Sequence, residues 1–225
     1  MRLVTFLRLA RVSNLPTVWS NVLAASVLAG SLGFGELAVV VLAMSVLYMG
    51  GMMLNDAFDS RVDAKEQPWR PIPAGETDVS TVWILGSLLL VAGVALLTTF
   101  GAQASAAAVA LMSTIILYNV WHKGNPLSPL IMGACRALVY VGTALAAGAA
   151  LSSVLAVSAL SLMAYVAALT AVAKGGAFQS LLTSWPAVLL AAPIVVALVQ
   201  GRSDATTICI GSFAAAAIAW AIKGR

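Results

Sequence analysis

Charged residues are scarce in this chain, and their scarcity decides which class of protein it is. Only 9% of the residues are charged, whereas 61% are hydrophobic, and the mean hydropathy is +1.00. An average soluble domain carries about 25% charged residues. The composition therefore excludes an ordinary soluble domain and indicates an integral membrane protein.

Cysteine and histidine are also rare, which removes the usual zinc ligands. Cys135 and Cys209 both fall in apolar stretches, and His122 is the single histidine. These three residues lack the spacing of a zinc site. Cysteines in such apolar surroundings are expected to pack as small reduced side chains.

Long uncharged runs separate the few charges, and their lengths predict the membrane spans. A helix that crosses a bilayer needs about 20 apolar residues, so the run 79–121 must contain two. We predict helices near 15–33, 37–55, 79–99, 103–121, 129–150, 153–173, 182–200 and 205–222. Eight spans with short connections predict an all-α polytopic transmembrane bundle that forms one domain over residues 1–225. Residues Met1–Ala10 predict a short interfacial helix, with a disordered start as the alternative.

Basic residues are distributed unequally between the two ends of these spans. Eight spans place both termini on one side, together with ten of the twelve basic residues. Arg202 falls on the other side, and Arg136 falls inside a span. The positive-inside rule therefore predicts that both termini and the acidic segment are cytoplasmic. This orientation explains the pI of 9.4, and the sequence predicts no nucleic-acid partner.

Acidic residues are concentrated where the second predicted span ends. Six of the eight lie there and in the following loop: Asp56, Asp59, Asp63, Glu66, Glu76 and Asp78. Carboxylates at the mouth of a membrane helix are costly to desolvate, so they indicate function. At helical spacing, Asn55, Asp59 and Asp63 share one face. Their oxygens suit a Mg²⁺ ion that bridges to a phosphate. Asp56 lies about 100° around the helix, so we expect it to act indirectly, by orienting the loop 64–78 or a neighbouring cation.

Basic residues near the same membrane face are candidate ligands for phosphate oxygens. The candidates are Arg11, Arg70, Lys123 and Arg136, supported by Tyr118. The alternative for any basic residue at a helix end is snorkelling to the interface. Arg136 lies deep enough to need a partner, which is either Asp59 or Asp63 or a ligand phosphate. The loop 64–78, with three prolines and Gly75, is either a lid over the site or a solvated connection.

These residue types together favour an isoprenoid diphosphate as the substrate. Mg²⁺ and basic side chains neutralise the charge that develops on a diphosphate leaving group. A central, lipid-accessible apolar chamber would hold the hydrocarbon tail. Aromatic ring faces stabilise an allylic cation, and the candidates are Trp19, Tyr48, Phe58, Tyr118, Trp121 and Tyr140.

Three motifs resemble the UbiA superfamily of intramembrane prenyltransferases over roughly residues 8–145. Asn55-Asp56-x-x-Asp59-x-x-x-Asp63 is similar to the first Asp-rich motif of that family, NDxxDxxxD. Residues 70–75 resemble its RPxPxG loop. Arg11 and Pro16 resemble its entry to the first helix, and residues 118–123 its Tyr-to-Lys segment. The resemblance implies a Mg²⁺-dependent transfer of a prenyl group from an isoprenoid diphosphate to a hydrophobic acceptor.

The chain departs from that family after the sixth predicted span, where a second Asp-rich motif is expected. Residues 165–175 contain no acid, and none occurs between Asp78 and Asp204. We therefore predict a single Mg²⁺, with Asp59, Asp63 and Lys174 as the catalytic residues and Lys174 replacing the second metal. The main alternative is a non-catalytic polyprenyl-lipid binding or carrier protein. A CDP-alcohol phosphotransferase is disfavoured because its Asp-Gly-x-x-Ala-Arg string is absent. A transporter is disfavoured because the sequence has no internal repeat with paired broken helices.

Overall fold

Helices account for most of the chain that the structure describes. The computed structural model describes residues 1–175, with side chains up to residue 171. A 3₁₀ turn, Val12–Asn14, separates the first two of seven α-helices in this range. They are α1 (Leu3–Leu9), α2 (Leu15–Ala29), α3 (Phe34–Glu66), α4 (Val79–Thr98), α5 (Ala102–Trp121), α6 (Ser128–Ala146) and α7 (Ser153–Gly175). The all-α prediction is confirmed for these residues, and the predicted spans 182–200 and 205–222 lie outside them.

Each of the first six predicted spans corresponds to a helix, α2 to α7. The five helices α3 to α7 are long and apolar enough to cross a membrane. α2 has 15 residues and is about 22 Å long, shorter than the apolar core of a bilayer, about 30 Å. It ends earlier than predicted because Gly30 adopts a left-handed conformation with φ +105°, which ends a helix readily. Residues 3–9 form the predicted short N-terminal helix.

Local sequence explains where several helices begin. Pro16 and Pro129 lie in the first turns of α2 and α6, where proline loses no helical hydrogen bond. Glu36 accepts a hydrogen bond from the Gly33 backbone N–H, 3.1 Å, and closes the start of α3. These signals favour a helix start and come from residues close in sequence.

α3 is longer than predicted, and this difference positions the acidic residues. It continues beyond the predicted end at residue 55 to Glu66 and has 33 residues, so its length is about 50 Å. Ala57, Ala64 and Lys65 favour helix and carry the helix past the apolar segment. The loop predicted at 64–78 therefore begins at Gln67.

Glycines bring α3 and α4 into close contact. A Cβ added to Gly50 of α3 would lie 2.8 Å from the Gly86 carbonyl oxygen of α4. A Cβ added to Gly93 would lie 2.5 Å from Leu47. Small residues at such positions let membrane helices approach closely. α3 also packs against α2 and α5, while α6 packs against α2, α5 and α7. α3 is therefore held by neighbours on several sides.

Candidate functional site

The C-terminal half of α3 carries four buried polar residues. Asn55, Asp56, Asp59 and Asp63 are 8%, 6%, 7% and 3% exposed. α3 is continuous through them, so Asn55, Asp59 and Asp63 lie on one helical face, as the spacing predicts. Three buried carboxylates within eight residues require compensating positive charge.

Two arginines from other parts of the chain supply positive charge to Asp56 and Asp63. Arg70 Nη1 lies 2.7 Å from Asp63 Oδ2 and 3.3 Å from Asp56 Oδ1. Arg11 Nη2 lies 3.0 Å from Asp56 Oδ1. Arg70 Nε also donates to Gln67 Oε1 at 2.9 Å. Asp56 therefore joins the loop after α3 to the segment before α2.

Arg11 reaches Asp56 from an unusual backbone conformation. Its φ of +46° and ψ of +47° are left-handed, which costs a residue with a side chain about 1–2 kcal/mol. This conformation turns the chain between α1 and the 3₁₀ turn. In this conformation Arg11 forms its ion pair with Asp56.

Asp59 is paired with the segment that follows α5. Lys123 Nζ lies 3.0 Å from Asp59 Oδ1, and His122 Nε2 lies 3.2 Å from Asp59 Oδ2. The Tyr118 ring stacks on His122 with centroids 5.1 Å apart. His122 was not predicted as a site residue. Its position directly before Lys123 was the available signal, but the contact with Asp59 depends on how α5 meets α3.

Asn119 is a second site residue that the sequence analysis missed. Asn55 Nδ2 donates to Asn119 Oδ1 at 3.3 Å, and Asn119 Nδ2 donates to the Gly51 carbonyl at 3.0 Å. Both amides are buried. Asn119 therefore fixes the amide of Asn55 against α3 and links α3 to α5.

The ligand chemistry of this face suits Mg²⁺, although its carboxylates are paired with side chains of the protein. Asp59, Asp63 and the carbonyl oxygen of Asn55 are hard oxygen donors of the kind that Mg²⁺ prefers. Among residues 1–171, no three His, Cys, Asp or Glu side chains are grouped to hold a metal. A metal bound here would therefore also use the Asn55 carbonyl oxygen or oxygens of a substrate. Arg70 would have to leave Asp63, and Lys123 would have to leave Asp59.

Arg136 pairs with neither Asp59 nor Asp63, so that alternative is wrong, while a ligand phosphate as its partner stays a prediction. Its Nη2 lies 3.3 Å from Thr17 Oγ1, and its Cζ lies 5.6 Å from the centroid of the Tyr48 ring. Asp59 and Asp63 are already paired with other cations. The Tyr48 contact is a cation–π interaction. The side chain of Lys174 lies outside the described residues.

An apolar cavity of about 60 Å³ lies beside the polar face of α3. Its polar lining residues are Tyr48, Tyr118, Asn119 and Arg136, and its apolar walls include Val18, Met44, Leu47, Ile115 and Met132. Of the six predicted aromatic candidates, Tyr48 and Tyr118 line this cavity. Phe58 instead packs edge-on against Trp83, 4.5 Å between centroids. The larger central chamber stays a prediction.

The loop after α3 is tied to the N-terminal helix by Glu76. Arg8 Nη1 lies 2.6 Å from Glu76 Oε1, and Thr5 Oγ1 donates to Glu76 Oε2 at 2.9 Å. The hydrogen bond from Thr5, followed by that from Arg8, lowers the pKa of Glu76 below its usual 4.5. Arg8 Nη2 also donates to the Trp69 carbonyl at 3.4 Å. α1 therefore packs on the loop that carries Arg70.

Comparison with known proteins identifies the family. The family model described as UbiA prenyltransferase family matches residues 13–224. The chain belongs to this family. A digeranylgeranylglyceryl phosphate synthase of Methanopyrus kandleri is 31% identical over 127 residues, 56% of this chain and 47% of that protein. The chain thus spans about half the length of the curated relatives it matches.

Solved structures show the same fold. A structure described as that of digeranylgeranylglyceryl phosphate synthase in membranes has a TM-score of 0.70 and 19% identity. The match covers 89% of this chain and 77% of that one. A UbiA homolog from Archaeoglobus fulgidus, bound to GPP and Mg²⁺, has a TM-score of 0.69 and 14% identity. This match covers 94% of this chain and 83% of the homolog. These matches establish a UbiA-like helical fold.

Membership in the UbiA family confirms the predicted resemblance to that family. Together with five helices long enough to cross a bilayer, it makes this an integral, multi-pass membrane protein. In this UbiA chain, Arg70 of the loop forms an ion pair with Asp63 of the motif at residues 55–63. His122 and Lys123 contact Asp59 of the same motif. The three motif regions therefore form one polar cluster beside the cavity.

Proposed function

We propose that the protein transfers a prenyl group from an isoprenoid diphosphate to a hydrophobic acceptor within the membrane, in a Mg²⁺-dependent reaction. The observation that carries this proposal is the buried polar face of α3, with Asp59 and Asp63 flanked by Lys123 and Arg70, next to an apolar cavity. The names of the relatives and the GPP and Mg²⁺ bound to the Archaeoglobus fulgidus homolog support the same reaction class.

Asn55, Asp59 and Asp63 are the residues that would hold Mg²⁺ in this proposal. The ion supplies positive charge for the diphosphate oxygens. Arg11, Arg70 and Lys123, which now neutralise carboxylates, would donate to phosphate oxygens when the substrate binds. An exchange of one anionic partner for another keeps each cation paired, and Mg²⁺ would replace the cations at Asp59 and Asp63.

The chemistry requires separation of the diphosphate and exclusion of water. The C–O bond of the prenyl diphosphate breaks, and its electron pair leaves on the diphosphate. A nucleophilic atom of the acceptor donates the pair for the new bond to the prenyl carbon, and its proton passes to the departing diphosphate. Tyr48 and Tyr118 line the cavity, where ring faces stabilise positive charge on the prenyl group and apolar walls exclude water.

The remaining sequence assignments stay part of the proposal. Tyr118 supports the diphosphate end of the site through its stacking on His122. Arg136 was predicted to bind the diphosphate, and Lys174 to replace the second metal. We propose further that both termini and the loop 67–78 face the cytoplasm, in agreement with the distribution of basic residues.

A polyprenyl-lipid binding or carrier protein is the second candidate function. It is favoured by one observation, the lack of any acid between Asp78 and Asp204. Loss of charge stabilisation affects a transition state more than the binding of a ground-state ligand. A protein with a weakened metal site would therefore keep affinity for the lipid and lose turnover.

Turnover with labelled geranyl, farnesyl and geranylgeranyl diphosphates separates the two candidates. The purified full chain in nanodiscs is assayed with and without Mg²⁺, in the presence of membrane lipid extract as the acceptor source. Mg²⁺-dependent release of diphosphate with labelled lipid product supports the enzyme. Saturable binding without release supports the carrier, and no binding of any of the three diphosphates contradicts both.

A further inference from the structure

The short helix α1 packs on the bundle where the uncharged segment of α3 ends. Leu9 of α1 is fully buried in an apolar cluster with Met53 and Ala57 of α3 and Val82 of α4. The uncharged run of α3 ends at Asn55, between Met53 and Ala57, and Val82 lies near the start of α4. Because both helices are long enough to cross a membrane, α1 lies where the apolar core of the bilayer meets the headgroup region.

The opposite side of α1 is apolar as well, but it is exposed. This outer face consists of Leu3, Val4 and Leu7, which are neighbours at helical spacing and are 71%, 66% and 41% exposed. A group of exposed apolar side chains on one short helix indicates contact with another apolar surface. At the boundary of a bilayer, the acyl chains of the lipids provide that surface.

Arg2 adds a positive charge beside the outer face. It directly precedes α1, it is exposed, and within residues 1–171 no carboxylate forms an ion pair with it. A guanidinium at a membrane surface is attracted to anionic lipids and donates in pairs to phosphate oxygens. A zwitterionic headgroup carries a cation of its own, which repels Arg2. The combination of an apolar face and an unpaired cation therefore favours an anionic phospholipid over a neutral one.

The loop 67–78 is held by the same helix. Arg8 of α1 is paired with Glu76 and donates to the Trp69 carbonyl. The Trp69 side chain is 66% exposed, and its amphipathic ring suits the headgroup region of a membrane. The next residue, Arg70, lies 2.7 Å from Asp63. A membrane contact of α1 and Trp69 would therefore restrain the segment that carries Arg70.

We propose that α1 and Trp69 form an interfacial anchor that binds an anionic phospholipid and restrains the loop 67–78. The outer face inserts among the acyl chains, Arg2 donates to the headgroup phosphate, and Trp69 lies among the headgroups. A second copy of the chain is disfavoured as the occupant, because a symmetric contact places the same patch of each copy, and so two Arg2 side chains, together. The inference does not depend on the proposed prenyl transfer, since it concerns a separate surface and ligand.

Photo-cross-linking from the outer face identifies what covers it. Val4→p-benzoylphenylalanine is made in the full chain, which is placed in nanodiscs containing equal amounts of phosphatidylglycerol and phosphatidylcholine with the same acyl chains. After irradiation, mass spectrometry measures the lipid adducts on the peptide that contains residue 4. We expect about fivefold more phosphatidylglycerol than phosphatidylcholine adduct, the factor that corresponds to one basic residue near an anionic surface.

Three further variants link this result to the anchor. Arg2→Gln, added to the Val4 variant, should bring the adduct ratio of the two lipids close to one. Lys65→Gln removes the same charge from an exposed position about 12 Å further along α3 than Ala57, and it should leave the ratio unchanged. Glu66→p-benzoylphenylalanine, at the end of α3, should give few lipid adducts.

Hydrogen exchange tests the restraint of the loop. In the protein without the photoreactive residue, the backbone amides of residues 67–78 should exchange severalfold more slowly in nanodiscs of phosphatidylglycerol than in nanodiscs of phosphatidylcholine. Arg2→Gln should remove this difference, and Lys65→Gln should keep it. Equal exchange in the two lipids would refute the restraint of the loop.

Several cross-linking results would overturn the anchor. A covalent dimer would show that a second copy covers the outer face, and a cross-link to residues 176–225 would show that the chain itself does. Equal adducts of the two lipids in the Val4 variant, or an equal effect of Arg2→Gln and Lys65→Gln, would refute the preference for an anionic lipid. If the Val4 variant does not fold, Leu3→p-benzoylphenylalanine, at the most exposed position of the outer face, gives the same test.

Discussion

At the scale of single residues, each acidic residue of the α3 face has a specific basic partner. Asp63 is paired with Arg70, Asp56 with Arg11 and Arg70, and Asp59 with Lys123 and His122. Burial makes each carboxylate dependent on these partners. These ion pairs stabilise the structure, and a Mg²⁺–diphosphate ligand would have to replace them.

Asp59→Ala should abolish Mg²⁺-dependent binding of geranylgeranyl diphosphate, because the site loses a carboxylate ligand of the metal. The fold should persist, because Lys123, its partner, is 43% exposed and can be solvated. Binding is measured by titration in nanodiscs with and without Mg²⁺. Glu66→Gln, an exposed acid at the end of the same helix, is the matched control. Unchanged affinity in Asp59→Ala would refute the metal assignment.

Asn119→Ala should weaken Mg²⁺-dependent diphosphate binding about 10-fold, as expected when a residue that orients a metal ligand is lost. The variant loses the bond to Asn55 and leaves the Gly51 carbonyl without its donor. The Mg²⁺ concentration for half-maximal binding is the measurement. Ser113→Ala, on the same helix and exposed, should have no effect. A shift of equal size in both variants would mean that Asn119 only stabilises α5.

At the scale of elements, the length of α3 and its contact with α4 position the site. The helix carries the acidic residues on from its apolar segment, and glycines at the α3–α4 interface hold it close to α4. A shift of α3 along its axis would change the distance from Asp63 to Arg70 and the distance from Asp59 to Lys123 at the same time. Helix packing is therefore part of the geometry of the site.

Gly50→Ala should destabilise the protein by about 1–3 kcal/mol, as is typical of overpacking. The new Cβ would lie 2.8 Å from a backbone oxygen of α4 and 3.0 Å from the Leu90 backbone nitrogen, neither of which can rotate away. Thermal unfolding in detergent measures the effect. Gly35→Ala is the control within α3, because nothing lies within 4 Å of its Cβ position. A melting temperature of Gly50→Ala at or above the parent value would contradict the close packing.

The contact between α1 and the loop 67–78 should depend on pH through Glu76. Because the folded pKa of Glu76 is lowered, its ion pair and hydrogen bond stabilise the protein above pH 4.5, and this stabilisation is lost as the pH falls through the lowered pKa. The difference in melting temperature between the parent and Glu76→Gln should therefore be present at neutral pH and disappear in acid. A constant difference over this range would show that the charge of Glu76 is not involved.

At the scale of the whole molecule, the site combines residues that are distant in sequence. Arg11 precedes α2, Asp56 lies within α3, and Lys123 follows α5, yet all three reach one polar cluster. Arg136 approaches the same cavity from α6. The bundle therefore brings polar groups of four separate segments to one apolar cavity.

Lys174→Ala tests whether a tethered cation replaces the second metal. If it does, diphosphate binding or turnover should fall about 10-fold, because the phosphate oxygens lose a positive charge in a low-dielectric site. Placing acids at Thr170 and Lys174 should increase the dependence on Mg²⁺. Lys65→Ala, at an exposed position, is the control. Activity and binding equal to the parent in Lys174→Ala would support snorkelling and favour the carrier function.

The motif residues and most span positions were predictable because they depend on local rules. Apolar run length predicted α4, α5 and α7 closely, and helical spacing predicted the shared face of Asn55, Asp59 and Asp63. The end of α2 was missed by a few residues, because Gly30 was not recognised as a helix terminator. The partners His122 and Asn119 were missed as well, because side-chain pairing between α3 and α5 leaves no periodic signal in sequence.

The sequence by itself determined the membrane class, the helical fold and the acidic motif, since hydropathy and helical periodicity are properties of neighbouring residues. Only the tertiary structure decided which charges meet. Asp59 or Asp63 was the expected protein partner of Arg136, with a ligand phosphate as the alternative, but Arg136 lies against Thr17 and Tyr48. Tyr48 is about two helical turns from Asn55 along α3. The physical reason is that Coulomb attraction acts over a few ångströms, and those distances are set by how the helices pack rather than by their order in the chain.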